Sequence, residues 1–221
     1  NGLEDKLDEL RKGRSAVLEN DHTLILGWST QVFTVISELV LANESRKSGA
    51  VIVILADQDK VEMEDEIADR IPDTKNTRVI CRSGNPIDLT DLEIASPHTA
   101  RSIIILAEGA DPDTHIIKSV LAITNNPNRR EEPYHIVTQI RDQKNMDVVK
   151  MLGTRDVVQP ILSNDLIARV VAQTSRQSGL SIVYTELMNF GGDEIYFKQE
   201  PALSGKTFGD ALSAFETSTV M

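Results

Sequence analysis

Ala50-Val-Ile-Val-Ile-Leu-Ala56 decides the fold. An unbroken apolar run has no polar face to offer water, so a strand made of it is covered on both sides. That is the condition of a strand in a parallel sheet flanked by helices. Upstream, Thr23-Leu-Ile-Leu26 repeats the pattern in shorter form and stops at Gly27. Between the two strands, Val32, Ile36, Leu39 and Val40 fall at helical spacing and mark one apolar face. Downstream, a sparser helix runs from about Asp59 to Ile71, with Met63, Ile67 and Ile71 four apart, and strand Arg78-Val-Ile-Cys-Arg82 follows.

The alternation continues with a short helix around Ile87 to Ile94 and strand Ser102-Ile-Ile-Ile-Leu-Ala107. Asp111-Pro112 then sets a cap and a first-turn proline, whose missing N–H is not needed there, for a helix through Ile123. Strand Tyr134-His-Ile-Val-Thr-Gln-Ile140, a helix from Asp142 to Leu152 stopped by Gly153, and a short strand Asp156-Val-Val-Gln159 complete the set. Six strands with five intervening helices predict an α/β fold: a doubly wound, six-stranded parallel, Rossmann-like sheet with right-handed crossovers.

Beyond Pro160 the rhythm changes. Leu162, Leu166, Ile167, Val170 and Val171 trace one long amphipathic helix, and a second segment runs from Leu180 to Met188. Gly191-Gly192 breaks the chain before a strand-like Glu194-Ile-Tyr-Phe-Lys198. At the other end, Leu3, Leu7, Leu10 and Val17 lie at helical spacing and predict an amphipathic lead segment. The expected organisation is therefore a helical linker over 1–20 and the sheet domain over 21–160. Crossover helices and a hinge follow over 161–192, and the start of a smaller lobe over 193–221.

The chain has 221 residues, with 23 Lys and Arg against 34 Asp and Glu, for a net charge of −11. An apolar fraction of 40% suffices for a real core, which argues against bulk disorder. The acid excess argues against a nucleic-acid binder, which needs clustered cations to neutralise phosphates. Cys81 stands alone, so no disulfide framework exists and a reducing compartment is expected. No apolar run approaches the roughly 20 residues needed to span a bilayer. The ends, without an initiator Met or a closing cap, suggest a fragment of a longer polypeptide.

In a doubly wound sheet a phosphate sits at the turn after the first strand, on a helix N-terminus. Here that turn reads Gly27-Trp28-Ser29-Thr30-Gln31-Val32, so only the first glycine of the G-x-G-x-x-G pattern is present. Ser29 and Val32 hold the other two places, and Trp28 narrows the approach to the backbone. Asp57 ends the second strand, where a ribose-binding carboxylate belongs, with Asp59 two residues on. Gly27, Ser29, Asp57 and Asp59, together with Arg82 and Ser83 at the end of the third strand, are the candidate cofactor-binding residues. The balance favours a dinucleotide fold that has lost or changed its ligand.

Other chemistries are weaker. Gly27-Trp28-Ser29-Thr30-Gln31 imitates a nucleophile elbow, but Gln31 replaces the closing glycine, and His98, His115 and His135 are scattered. Gly205-Lys206-Thr207 lacks the P-loop glycine, since Glu200 stands in its place. Asp57 and Asp59 do not open a calcium loop, because Val61 occupies the next ligand position. No His or Cys pair has zinc spacing. Eight carboxylates lie between Asp57 and Asp73, either a solvated helix face or a cation-attracting one. A second group, Glu186, Asp193, Glu194 and Glu200, brackets Gly191-Gly192, where carboxylates on two sides of a hinge would couple cation binding to its angle.

His22-Thr-Leu-Ile-Leu-Gly-Trp-Ser29, Ile54-Leu-Ala-Asp57, Val79-Ile-Cys-Arg-Ser-Gly84 and Ala100-Arg-Ser-Ile-Ile-Ile-Leu-Ala107 together resemble the cytosolic domain of the Castor/Pollux ion channels. That family belongs to the wider group of domains regulating potassium conductance, the RCK domains. The resemblance covers nearly the whole chain and includes Leu10-Arg-Lys-Gly-Arg14, which in the family follows the last pore helix. It implies a ligand-sensing, non-enzymatic subunit of a gating ring at the cytoplasmic face of a membrane. Its partners would be further copies, as a dimer or tetrameric ring, and the pore of the parent channel. It also implies Ca²⁺ as the ligand, with Glu186, Asp193 and Glu194 matching metal-binding positions around the hinge. The alternative is an NAD(H)-binding oxidoreductase or dinucleotide-sensing transport regulator. The oxidoreductase would need an acid–base constellation after residue 160, and none is compact there.

Overall fold

The computed structural model describes residues 12–106, 109–191, 195, 197–216, 218 and 220. Its strands are β1 Thr23–Leu26, β2 Ala50–Ala56, β3 Thr77–Ser83, β4 Ser102–Ile105, β5 His135–Ile140 and β6 Val157–Leu162. Between them run α1 Gln31–Asn43, α2 Lys60–Arg70, α3 Leu89–Ile94 with a 3-10 turn Pro97–Thr99, α4 Pro112–Thr124 and α5 Gln143–Leu152. After the sheet come α6 Ser163–Arg176, α7 Leu180–Met188, a second 3-10 turn Pro201–Leu203 and α8 Phe208–Leu212. All strand pairs are parallel, in the order β3-β2-β1-β4-β5-β6. The order reverses between β1 and β4, the switch point beyond whose carboxyl ends folds of this kind place a ligand.

The apolar runs explain the layering. Side chains alternate across a strand, so Leu24, Leu26, Val53, Leu55, Ile103 and Ile105 face one side, closed by Leu92 of α3, Ile116 and Val120 of α4, and Val149 of α5. Ile25, Ile52 and Ile54 face the other, under Val32, Ile36 and Val40 of α1 and Met63 and Ile67 of α2. Each such side chain contributes about 1.5–3 kcal/mol by leaving water, which is why the middle of these strands is apolar. Four of the helices start where aspartates cap them. Asp59 accepts from the amides of Val61 and Glu62, Asp88 from Thr90 and Asp91, Asp111 from Thr114, and Asp142 from Lys144.

Two boundaries differ from the sequence expectation. The helix predicted to reach Val17 is absent over residues 12–20, while residues 1–11 lie outside the described set. Gly13 takes a positive φ of 68°, and the Val17 amide donates to the Ile94 carbonyl instead of to a preceding turn. The last strand also runs on through Pro160 to Leu162. It is an edge strand paired only with β5, so a residue without an N–H costs the ladder nothing on the open side. One face of β6 stays uncovered, with Val157 49% and Ile161 46% exposed. Of the strand expected over 194–198, Glu194 and Tyr196 lie outside the described residues, and Ile195, Phe197 and Lys198 have no regular structure.

Candidate functional site

The residues singled out for a cofactor converge on the carboxyl edge of β1, β2 and β3. Gly27 leaves β1 with φ 94°, a conformation that favours glycine, and its amide donates to Leu55 of β2. Ser29 follows in the turn, its hydroxyl enclosed without a hydrogen-bond partner. Thr30 precedes α1 but supplies no side-chain cap. Trp28 packs edge-on against Phe33 with ring centroids 5.5 Å apart. Asp57 is exposed just past β2.

The remaining three are engaged within the chain. Asp59 is consumed as the cap of α2. Arg82 donates through Nε to the Ser15 carbonyl at 2.7 Å and through Nη1 to the Cys81 carbonyl at 2.8 Å. Burial lowers its pKa, against the pull of Glu64. The Ser83 amide donates to the Gly13 carbonyl at 3.1 Å, and its hydroxyl is enclosed without a partner. Cys81 beneath them is buried, and burial pushes its thiol up to about 12, which removes it as a nucleophile.

Of the metal candidates, Glu186 sits exposed on α7, while Asp193 and Glu194 lie outside the described residues. The eight carboxylates from Asp57 to Asp73 are all exposed, the picture of a solvated helix face. Among the described residues no group of three or more His, Cys, Asp or Glu is gathered for a metal ion.

Two polar clusters had no sequence signature. Asp113, 5% exposed in the first turn of α4, accepts from the Arg141 and Asp142 amides at 2.9 and 3.0 Å and from Asn145 Nδ2 at 2.8 Å. Burial opposes its charge, but these donors outweigh burial and hold its pKa below the ordinary value. It thereby fixes the β5–α5 turn at the carboxyl end of the sheet. Asp113→Ala strands three donors and is expected to cost about 3 kcal/mol, read as a lower urea midpoint.

The second cluster is at the amino ends of β4 and β5. His98 contacts Tyr134 Oη through Nδ1 at 2.7 Å and Glu93 through Nε2 at 2.9 Å, and Asn126 donates to the same Glu93 oxygen. Burial pushes the Glu93 carboxyl up, yet the hydrogen bonds from His98 and Asn126 prevail and leave it below its ordinary value. Nearby, His22 is fully buried with Nε2 donating to the Ala95 carbonyl at 3.1 Å. Burial lowers its pKa from 6.5 despite the carbonyls of Ala95 and Glu19. The unfolded chain then binds a proton that the folded one refuses. Stability is complete above pH 6.5 and drains as pH falls through that value. His22→Gln is expected to flatten this slope in pH-dependent urea melts.

A family model described as "Castor and Pollux, part of voltage-gated ion channel" matches residues 164–221. The probable ion channel CASTOR of Oryza sativa subsp. japonica is 39% identical over 216 residues, covering 96% of this chain and 24% of that protein. The ion channel CASTOR of Lotus japonicus is likewise 39% identical over 216 residues, covering 96% of this chain and 25% of its own length. The ion channel POLLUX of Lotus japonicus is 37% identical over 96% of this chain and 23% of its own. The chain thus spans about a quarter of the length of these relatives. Among solved structures, the GsuK channel bound to NAD has 18% identity and a TM-score of 0.49 over 72% of this chain and 24% of that one. The human SLO3 gating ring has 20% identity and a TM-score of 0.49 over 86% of this chain and 32% of that one. No helix among the described residues is long and apolar enough to cross a membrane. Over nearly its whole length, the chain is similar to a segment of the Castor and Pollux ion channels of these plants.

Proposed function

We propose that this chain is a regulatory, non-catalytic module of a cation channel, which self-associates in a gating ring at the cytoplasmic face and couples ligand binding to the pore. The observation that carries the reading is the pair of helices appended to a completed sheet. Neither α6 nor α7 has a single buried residue. Ile167 is 61% exposed, Val171 62%, Ile182 72% and Val183 50%, and the open face of β6 adds Val157 and Ile161. A helix of this length is marginal alone and needs an apolar partner. Exposed apolar side chains gathered on unpacked helices in this number mark a protein contact. Further copies of the chain are the partners that a ring requires.

Calcium is the ligand we assign. Glu186 stands exposed near the end of α7, two residues from its last residue, Met188, and shortly before Gly191. A hard cation held between it and Asp193 and Glu194 would favour one hinge angle over another. A ligand shifts an equilibrium only through such differential affinity. The Phe190 amide, donating to Glu38 of α1 at 2.9 Å, ties the far end of α7 back to the sheet domain and gives the hinge something to pull on. Sedimentation velocity over a concentration series tests the assembly. A concentration-dependent dimer or larger species is expected, and a monomer at every concentration overturns the reading.

A further inference from the structure

Residues 12–21 cross the domain without regular structure, from the carboxyl end of β3 to the start of β1. At the upper end the Gly13 carbonyl accepts from the Ser83 amide and the Ser15 carbonyl from Arg82, while Arg14 pairs with Asp91. Gly13 lies so close to α2 that a Cβ there would meet the Lys60 Cβ at 2.8 Å. In the middle, Val17 enters the core, its amide donating to Ile94 and its carbonyl accepting from Ser96 Oγ. At the lower end, Thr99 Oγ1 donates to Glu19 and the Asp21 amide donates to Thr99. Arg78 pairs with Glu19, and Arg46 pairs with Asp21 at 2.9 Å.

The hold is narrow. Val17 is the one fully buried apolar side chain of the segment, whereas neighbouring Leu18 is 89% exposed. The residues of the lower ion pairs line an open cavity of about 500 Å³ together with Gly49 and Asn76. One buried side chain and a few hydrogen bonds must offset the ordering entropy of the whole segment. Its opening therefore lies well below global unfolding. The anchor, by contrast, is stiff: Ser96 is held at φ 50°, and His98 in the same turn is clasped between Glu93 and Tyr134.

We propose that residues 12–21 are a latch that opens as a unit while the sheet stays folded, passing tension on the preceding chain to the carboxyl end of β3. When it peels, Ser83 loses the acceptor of its amide and Arg82 the Ser15 carbonyl, so the carboxyl edge around Asp57 changes with it. The use of such a latch rests on the gating reading, but its existence does not.

Amide hydrogen exchange by NMR on the full chain tests it. The Val17, Asp21 and Ser83 amides all donate across the strap's contacts, while the Gly27 and Leu106 amides donate between central strands. The first three are expected to exchange at one common opening rate, at least about tenfold faster than the last two. Ser96→Ala, which cuts only the middle anchor, should speed all three together by about fivefold to tenfold and leave Gly27 and Leu106 unchanged. Thr99→Val, cutting the lower anchor, should do the same, so failure of one variant to fold leaves the test intact. Exchange of the three only at the Gly27 rate, or acceleration confined to Val17 in Ser96→Ala, overturns the proposal. A negative assembly or calcium experiment leaves these rates untouched, so the two failures are separable.

Discussion

Asp156→Ala is expected to remove about 3–5 kcal/mol of stability, the usual result of stranding one partner of a buried ion pair. The Asp156 side chain is 1% exposed and that of Arg129 14%. Its Oδ1 accepts from Arg129 Nη2 at 2.9 Å and from the Tyr134 amide at 2.8 Å, and its Oδ2 accepts from Arg129 Nη1 at 3.3 Å. Arg129 also donates to the Thr124 carbonyl and lies over the Tyr134 ring, 5.3 Å from its centroid. The carboxylate therefore ties the entry of β6 to the end of α4 and the start of β5. Without it, a guanidinium stays buried with no counter-charge and a strand amide loses its acceptor. Asp156→Asn keeps the shape and one acceptor, and should cost less than the alanine. Urea denaturation followed by circular dichroism reads both; equal midpoints for wild type and Asp156→Ala would refute the assignment.

Ile167→Glu combined with Val183→Glu is expected to abolish self-association while leaving the fold intact. Both side chains are more than half or half exposed in the single chain, at 61% and 50%, so charge there meets water and not core. Such surface changes move stability by about 0.5 kcal/mol or less. In an assembly the same two positions lose apolar burial worth about 1.5–3 kcal/mol each. At about 1.4 kcal/mol per tenfold, the dissociation constant should rise a hundredfold or more. Sedimentation of the double variant beside wild type checks this, with thermal melts confirming the fold. An unchanged assembly would place the contact elsewhere on the molecule.

How far the sequence was legible depends on the kind of signal. Ala50–Ala56 and Leu180–Met188 appear with the bounds read from the chain, because continuous apolarity and helical periodicity are local properties. β6 ran past its expected end because Pro160 reads as a break until the strand is known to be an edge. The lead segment departs from its helical reading over residues 12–20 for the opposite reason. Leu3, Leu7, Leu10 and Val17 share a helical period, yet Val17 is claimed by the core under the sheet and by the Ile94 carbonyl, distant in sequence. Gly27 and Ser29 fall in the turn after β1 and Asp57 just past β2, the positions read from the chain, because strand ends are local signals. Arg82 was placed correctly on the edge, but its engagement with Ser15 was not visible, since nothing local signals a partner 67 residues away. Asp113 and the Glu93–His98–Tyr134 cluster were missed on the same ground.

Calorimetric titration of the chain with Ca²⁺, beside Mg²⁺, Na⁺ and NADH, tests the central claim most directly. The account predicts saturable Ca²⁺ binding that Glu186→Ala weakens by at least about tenfold, the loss expected when one carboxylate of a small oxygen cage is removed. It predicts no hydride transfer to or from NAD(H). Calcium affinity unchanged in both Glu186→Ala and Asp193→Ala, or tight NADH binding with turnover, would contradict it.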